Sequence, residues 1–370
     1  MRIVVTGGDG FIGRNLRAHL AERGYPDIVS VDQNEDETAL GEALASADIV
    51  FHLAGVNRPK ELVEFDLVNR GFTARVCDAL ARTGRSIPVV LTSSIQAAVD
   101  NPYGASKRAA EGEVHRYAVS SGARIHVLRL TNVFGKWSRP NYNSVVATFC
   151  HNIARGRPIT VVDADAPLQL VYIDDVVATM AELIDPPAEW PLFVDVRPIY
   201  ETTVGELASV LRCFAASRST RETFRVGVGF ARALYATYVS YLPPEDFSYA
   251  LPRHADPRGV FVEMLRTPDC GQISFFTARP GVTRGGHYHH TKNEKFLVVQ
   301  GTARFRFRHT ITGESHELLV DGQQSRVVDT VPGWAHDVTN VGPDELIVLL
   351  WANESFDPSR PDTVAVSLDS

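Results

Sequence analysis

The chain has 370 residues and a formal net charge of −7, with 44% hydrophobic and 22% charged side chains. That length exceeds one ordinary core and predicts two domains of a water-soluble protein. The acidic balance speaks against a nucleic-acid footprint, and no apolar run reaches the length of a membrane span. Cys77, Cys150, Cys213 and Cys270 lie far apart and form no CxxC pair. They point to reduced thiols in the cytoplasm rather than a disulfide framework or a zinc knuckle. The start, MRIVVTGG, reads as a strand and a glycine turn, without the architecture of a signal peptide.

Arg2 to Thr6 is a β-branched strand, followed by Gly7-Gly8-Asp9-Gly10-Phe11-Ile12-Gly13 and an amphipathic helix to about Arg23. Glycines at 7, 10 and 13 permit a tight turn, close approach of backbone to a pyrophosphate, and close helix–strand packing. The helix N-terminus then faces phosphate charge. Ile28 to Val31 is the second strand, and Asp32 at its end is placed to bind adenosine ribose hydroxyls. A turn role for Asp32 is the competing reading, because Asp-Gln-Asn-Glu-Asp is loop-like. Ala47 to Leu53 is the next strand, and Ala54-Gly55 forms a small-residue turn beneath a cofactor. Leu62 to Leu80 reads as one long helix that carries Asn69.

Val89 to Leu91 is a buried strand that ends near Ser93 and Ser94. Asn101-Pro102 signals a turn into a helix on which Tyr103 and Lys107, four apart, share a face. A phenol is a weak acid at neutral pH, and a cation one turn away favours its ionised form. A strand-end hydroxyl with such a pair suits proton transfer at a carbonyl. Arg124 to Leu130 is a further strand. Strands alternating with helices predict an α/β, Rossmann-type doubly wound parallel sheet, with ligands at the C-terminal strand ends. Lys136, Arg139, Arg155 and Arg157, with Asn141, Tyr142 and Asn143, form the expected substrate side.

Breakers at Pro186-Pro187, Pro191, Pro198, Pro243-Pro244, Pro252 and Pro257 surround helices near Val204 to Ala215 and Phe230 to Tyr241. A domain crossing is expected near 245, giving domains 1–245 and 246–370. From about Val260 the period changes to short alternating strands: Phe261–Leu265, Gln272–Thr277, Lys295–Gln300, Thr302–Arg308, Glu317–Val320, Gln324–Val328 and Leu346–Trp351. These predict an all-β barrel or jelly roll. Residues two apart on a strand point the same way, so His287 and His289 face one interior, with Glu294 from the next strand and His336 farther on. Such a donor set suits Zn, Fe, Ni or Mn. His290 adds another imidazole and leaves the choice of ligands open.

Thr6-Gly7-x-x-Gly10-Phe11-x-Gly13, His52-Leu53-Ala54-Gly55, Asn69, Ser94, Tyr103, Lys107 and Tyr172-x-Asp174-Asp175 together resemble the extended short-chain dehydrogenase/reductase family. The resemblance implies a catalytic Ser94, Tyr103 and Lys107. It also implies a nicotinamide cofactor at Gly7, Gly10, Phe11, Ile12, Gly13, Asp32, Leu53, Ala54, Gly55, Asn69 and Lys107. Ser94 precedes Tyr103 by only nine positions, closer than is usual in that family, so Ser93 and Thr92 remain alternatives. Gly281-x5-His287-x-His289-x4-Glu294-x6-Gly301 and His336-x3-Asn340 resemble the cupin family, which implies a metal, zinc foremost, on His287, His289, Glu294 and His336.

The whole chain resembles the CapF-type family of capsular polysaccharide enzymes, through stretches such as Pro140-NYNSV and His289-HTKNEKFLVV. That resemblance implies a UDP-sugar substrate, epimerisation at C3 by the cupin, reduction at C4 with NADPH, and a homodimer formed through the cupin. The product implied is UDP-2-acetamido-2,6-dideoxy-L-talose, a precursor of N-acetyl-L-fucosamine. Asp32 would repel a 2′-phosphate and keeps NADH open as the cofactor. A single-activity enzyme with the cupin as a dimerisation module is the competing reading.

Overall fold

A computed structural model describes residues 1–186 and 191–368. Pro187, one of the expected breakers, lies outside the described residues. The chain divides into two compact units, 1–212 with 228–243, and 213–227 with 244–370.

The first unit opens with β1 (Arg2–Thr6), α1 (Phe11–Glu22), β2 (Asp27–Val31), α2 (Glu37–Ala45) and β3 (Ile49–His52). A π-helical stretch, Phe65–Phe72, leads into α3 (Thr73–Arg82). The expected helix from Leu62 is therefore present, but it begins later and is underwound in its first half. There follow β4 (Val89–Ser94), a short 3-10 turn at Ile95–Ala98, α4 (Pro102–Ser121) and β5 (Ile125–Leu130). Next come β6 (Asn132–Phe134), α5 (Val145–Ile153), β7 (Pro167–Tyr172), α6 (Ile173–Glu182), β8 (Ile199–Thr203), α7 (Val204–Thr220), whose residues from 213 on count with the second unit, and α8 (Gly229–Val239).

The main sheet has the order β2-β1-β3-β4-β5, and all its pairs are parallel. The chain reverses its direction of travel between β1 and β3, which opens a crevice at the C-terminal ends of those strands. Every residue of β3 and β4 is buried, as helices on both faces of a parallel sheet require. Val4, Val50, Val89, Leu91, Val114 and Tyr117 belong to that core. A smaller sheet, β6-β7-β8, follows β5 in the chain, where no strand was expected.

The second unit consists of short strands. They are β9 (His254–Asp256), β10 (Gly259–Thr267), β11 (Gly271–Ala278), β12 (Thr283–Tyr288), β13 (Glu294–Gln300), β14 (Thr302–His309) and β15 (Ser315–Asp321). β16 (Val327–Asp329), β17 (Trp334–Asn340), β18 (Leu346–Ala352) and β19 (Val364–Ala365) complete it. They form two antiparallel sheets, β16-β13-β18-β11-β10-β9 and β15-β14-β17-β12-β19, around a core that includes Phe276, Phe296, Phe305, Val338 and Val348. This is the all-β second fold that the change of period predicts.

The strand expected over Gln324–Val328 starts later. Gly322–Gln324 is a capped 3-10 turn, in which Asp321 and Gln324 satisfy each other's backbone, so β16 starts only at Val327. All four cysteines are free thiols, Cys77 and Cys150 buried, Cys213 and Cys270 exposed. Among the described residues no helix is long and apolar enough to cross a membrane.

Candidate active site and candidate metal centre

The cavity of the first unit has a volume of about 1470 Å³ and lies at the C-terminal strand ends. Gly7, Gly10, Phe11, Ile12, Gly13, Leu53 and Gly55 line one side of it, and Thr92, Ser93, Ser94, Tyr103 and Lys107 line another. The glycine turn is shaped for a closely approaching group. A Cβ at Gly13 would stand 2.3 Å from the Gly7 carbonyl oxygen and 2.6 Å from the Gly8 Cα. No side chain fits there, so Gly13 lets α1 pack directly on the turn.

Tyr103 is presented by the first turn of α4. Asn101 caps that helix, accepting the Gly104 N–H at 2.7 Å, and Pro102 follows at the first helical position. Both residues favour a helix start at this point. The 3-10 turn at Ile95–Ala98 uses up the short stretch between β4 and α4, and the Ser94 hydroxyl accepts the Gln96 N–H at 3.2 Å. Nine residues are thus enough to return the chain so that the Ser94 side chain acts on the Tyr103 phenol. The two alternative hydroxyls are engaged elsewhere. Ser93 donates to Glu111 at 2.5 Å, and Thr92 faces the His52 carbonyl at 3.4 Å.

The electrostatics of this pair differ from the sequence expectation. Burial pushes the Tyr103 phenol up, and the bond to Ser94 acts against that. Lys107 is not what brings the phenol down in this structure. Its ammonium is buried on the same helix and donates to the Thr92 carbonyl at 3.1 Å. Burial lowers Lys107 to about 8, with Glu111 opposing.

Three residues expected at the cofactor do not line the cavity: Asp32, Ala54 and Asn69. Asp32 is exposed, and its carboxylate accepts the Asn34 N–H at 3.0 Å and the Asn34 side-chain amide at 2.8 Å. That is turn chemistry of the kind the loop-like sequence allows. Asn69 is buried and clamps the backbone of Val56, accepting its N–H at 2.8 Å and donating to its carbonyl at 3.0 Å. It also donates to Ser106 of α4 at 2.9 Å. Asn69 therefore holds the Ala54–Val56 turn against the helix that carries Tyr103.

Beneath that turn runs a buried relay. Thr73 donates to the Asn69 carbonyl at 2.5 Å, so its oxygen accepts from His52 Nε2 at 2.8 Å. His52 Nδ1 then accepts from Thr6 at 2.7 Å. Burial first, and Lys107 second, push His52 down to about 3, so the ring is neutral.

On the substrate side, only Arg139 of the four expected cations lines the cavity, with its guanidinium 5.2 Å from the centre of the Tyr142 ring. Lys136 pairs with Asp174, Arg155 donates to the carbonyls of His151 and Tyr241, and Arg157 is exposed away from the cavity. Asn141, Tyr142 and Asn143 do line it. Arg58 and Trp137 line it as well and had no assigned role in the sequence reading. Arg58 donates to Asn143 at 3.1 Å, joining the loop after β3 to the loop after β6. Position was the available signal, since both residues follow strands whose ends build the crevice.

In the second unit, His287, His289, Glu294 and His336 each offer a ligand atom within 4.8 Å of the others. His287 and His336 are cross-strand partners on β12 and β17. Glu294 opens β13, with its N–H on Thr330 at 2.9 Å. His289 lies just past the end of β12, so simple alternation along one strand is not what aims it. Its Nδ1 meets the Asp362 carbonyl at 2.5 Å, and its own carbonyl accepts the Gly333 N–H at 2.9 Å. His290 is exposed and outside the cluster.

The donor chemistry fits a divalent ion. His289 Nε2 and His336 Nε2 are buried without a hydrogen-bond partner. Glu294 Oε2 lies 3.4 Å from each, near enough to attract them but not aligned to bond them. Atoms aimed at one point without bonding each other are the arrangement an ion completes. Burial lowers His287 to about 4, which leaves its lone pair available. Burial opposes charge on His289, but the Glu294 carboxylate and the Asp362 carbonyl outweigh it and raise that ring. Burial also opposes charge on Glu294, yet His289, His336 and Lys292 hold it well below the usual carboxylate range.

Comparison with known proteins follows the same division. Residues 3–191 match the family model described as the NAD dependent epimerase/dehydratase family, and residues 254–364 match the polysaccharide biosynthesis C-terminal domain. The chain is 54% identical over 368 residues to a UDP-2-acetamido-2,6-beta-L-arabino-hexul-4-ose reductase of Pseudomonas aeruginosa, covering 100% of this chain and 99% of that protein. It is similar in structure to the capsular polysaccharide assembling protein CapF of Staphylococcus aureus. The TM-score is 0.93 at 43% identity, over 99% of this chain and 100% of that one. A UDP-glucose 4-epimerase of Thermus thermophilus shares the fold over 65% of this chain and 99% of its own, with a TM-score of 0.56 at 21% identity.

Proposed function

The chain belongs to the NAD dependent epimerase/dehydratase family, and on that premise we propose a bifunctional UDP-sugar enzyme of capsular polysaccharide synthesis. Its substrate is a UDP-4-keto-6-deoxy-N-acetylhexosamine. The cupin unit epimerises C3, and the reductase unit reduces C4 to give UDP-2-acetamido-2,6-dideoxy-L-talose. The observation that carries this reading is the meeting of Ser94, Tyr103 and Lys107 with the glycine turn on one cavity. The near full-length relative, named as a reductase of a UDP-linked 4-ulose, supports the position of the ketone.

A reduced nicotinamide at the glycine turn would supply the hydride for C4. Ser94 orients the C4 carbonyl oxygen, and Tyr103 gives it a proton. Lys107 acts on the step from the same helix, as a cofactor-holding ammonium rather than by lowering the resting phenol. Gly7, Gly10, Phe11, Ile12, Gly13, Leu53, Gly55 and Lys107 hold the cofactor, and Asn69 and Ala54 shape the turn beneath it. NADPH is the assigned cofactor. Asp32 is occupied by Asn34 and exposed, and Arg14, which lines the cavity, is the cation available to a 2′-phosphate. Arg58 and Arg139, which line the same cavity, are the cations offered to the substrate's diphosphate.

In the cupin, His287, His289, Glu294 and His336 would hold a divalent ion, zinc foremost, which would supply Lewis acidity to a ketone oxygen and so acidify the neighbouring C3 proton. The chemistry sets the order of steps. C3 loses a proton readily only while C4 is a ketone, so epimerisation precedes reduction. A homodimer built through the cupin, in the cytoplasm, completes the reading.

The test is incubation of the protein with the UDP-4-keto sugar and NADPH. One NADPH should be oxidised per sugar, and the proton couplings of the product should report the L-talo configuration. A product that keeps the starting C3 configuration would leave a single-activity reductase instead.

A further inference from the structure

The metal ligands are gathered partly by the far end of the chain. β19 pairs with β12, placing Ala365 opposite His287 and Val364 opposite Tyr288, and the Val366 N–H reaches the Gly286 carbonyl at 2.9 Å. Just before this strand sits Asp362, with φ at +36°, a conformation that aspartate, asparagine and glycine accept more readily than other residues. Its carboxylate accepts the N–H groups of His290 at 3.0 Å, Thr291 at 2.9 Å and Lys292 at 2.8 Å, and the Thr291 hydroxyl at 3.0 Å. Its main-chain carbonyl takes His289 Nδ1 at 2.5 Å. These contacts hold the carboxyl far below the ordinary aspartate range, so it is ionised wherever the protein is folded near neutrality.

A histidine that donates from one ring nitrogen to a carbonyl is fixed in the tautomer that leaves the other nitrogen's lone pair for a metal. Here the other nitrogen is the buried His289 Nε2 that has no hydrogen-bond partner. The loop from His290 to Asn293 joins His289 to Glu294, and it also sets Lys292, whose ammonium stands 3.5 Å from Glu294 Oε1. With Oε1 facing Lys292, Oε2 is the oxygen that faces His289 and His336. One residue, some seventy positions away in sequence, therefore fixes one ligand directly and the next through the connecting loop.

We propose that Asp362 is the positioning residue of the metal centre. Its carbonyl aims His289 Nε2, and its carboxylate folds the 290–292 backbone so that Glu294 presents a single oxygen. This rests on the reading of the four residues as a metal site.

The experiment measures zinc affinity by competition with a chromogenic chelator, and the visible spectrum of the cobalt-substituted protein, in full-length wild type, Asp362→Gly and Asp362→Asn. Glycine keeps the left-handed backbone and removes the carboxylate. Asparagine keeps one acceptor oxygen. Loss of an outer partner of this kind weakens metal binding by about 10- to 100-fold. That loss is expected for Asp362→Gly, with altered cobalt bands that a general loosening of the fold at full occupancy would not produce. Asp362→Asn should recover part of both. Wild-type affinity and an unchanged cobalt spectrum in Asp362→Gly would overturn the proposal. If wild type itself bound no zinc, the metal-site reading would fall, and this inference with it.

Discussion

The two candidate sites are built in opposite ways. Ser94, Tyr103 and Lys107 lie within one stretch from the end of β4 to the second turn of α4, and helical spacing alone puts the last two on one face. The four donors of the second unit come from β12, from the residue just beyond it, from β13 and from β17, and Asp362 arrives from the chain's last segment. The first site is written in local geometry, so a single substitution there removes a chemical group and leaves the frame in place. The second is written in strand register, so it can be lost without touching a ligand.

The largest effect separating the two should come from Tyr103→Phe, which deletes only the phenolic hydroxyl. Positioned acid catalysis contributes about 10²- to 10⁴-fold, and NAD(P)H oxidation should fall by that factor while cofactor affinity measured by fluorescence titration stays put. Ser94→Ala should cost about 10²-fold in kcat, as removal of a donor to a developing oxyanion does. Ser93→Ala should stay close to wild type, because its hydroxyl serves Glu111, which also holds Arg129. Equal losses from the two serines would break the assignment that Ser94 alone faces the phenol.

Register is tested by Gly285→Ala. The β12–β17 pairing slips at Gly285/His287, and this bulge sets His287 against His336. Gly285 has φ at +97°, and a Cβ there would lie 2.9 Å from the His336 carbonyl oxygen. Metal affinity should drop by about 10-fold or more, as when supporting contacts of a ligand are disturbed, although all four donors remain. Calorimetric titration with zinc reads it, and unchanged affinity would show that register matters less than the contrast implies.

The smallest effect concerns pH. Burial lowers Lys107 to about 8, so its ammonium is present below that pH and lost above it. The kcat/KM of reduction should therefore decline above about pH 8. Glu111 opposes that lowering, so Glu111→Gln should move the decline to lower pH. The unfolded chain keeps this proton to a higher pH than the folded chain does. Lys107's own contribution to stability thus rises with pH across the same window, opposite in sign to its effect on rate. A profile flat through pH 9 would remove Lys107 from the reaction.

The same contrast explains what could be read from the sequence. The parallel sheet, the glycine turn and the Tyr103–Lys107 face follow from periods and spacings of a few residues, and these are local properties. The change of period near Val260 likewise announced the β unit. Spacing brought His287, His289, Glu294 and His336 into consideration, but it could not separate them from His290. Burial and register make that distinction, and both are tertiary. Asp362 had no local signal beyond Pro361-Asp362, because its role lies in contacts some seventy residues distant. Asp32 and Asn69 carried a strong pattern, yet their polar atoms are used on Asn34, Val56 and Ser106. A motif names a residue type at a position, whereas the nearest partner decides what the side chain does. Lys136 is drawn from the cavity for the same reason, since its ammonium pairs with Asp174.

The division of labour between the two units is tested most directly by isotope exchange. Metal-loaded Tyr103→Phe is incubated with the UDP-4-keto sugar in D₂O without cofactor, beside His336→Ala. Proton NMR should show the C3 signal disappearing with Tyr103→Phe at the wild-type rate, and persisting with His336→Ala. Exchange that stops in folded, metal-loaded Tyr103→Phe, or continues undiminished in His336→Ala, would contradict the account.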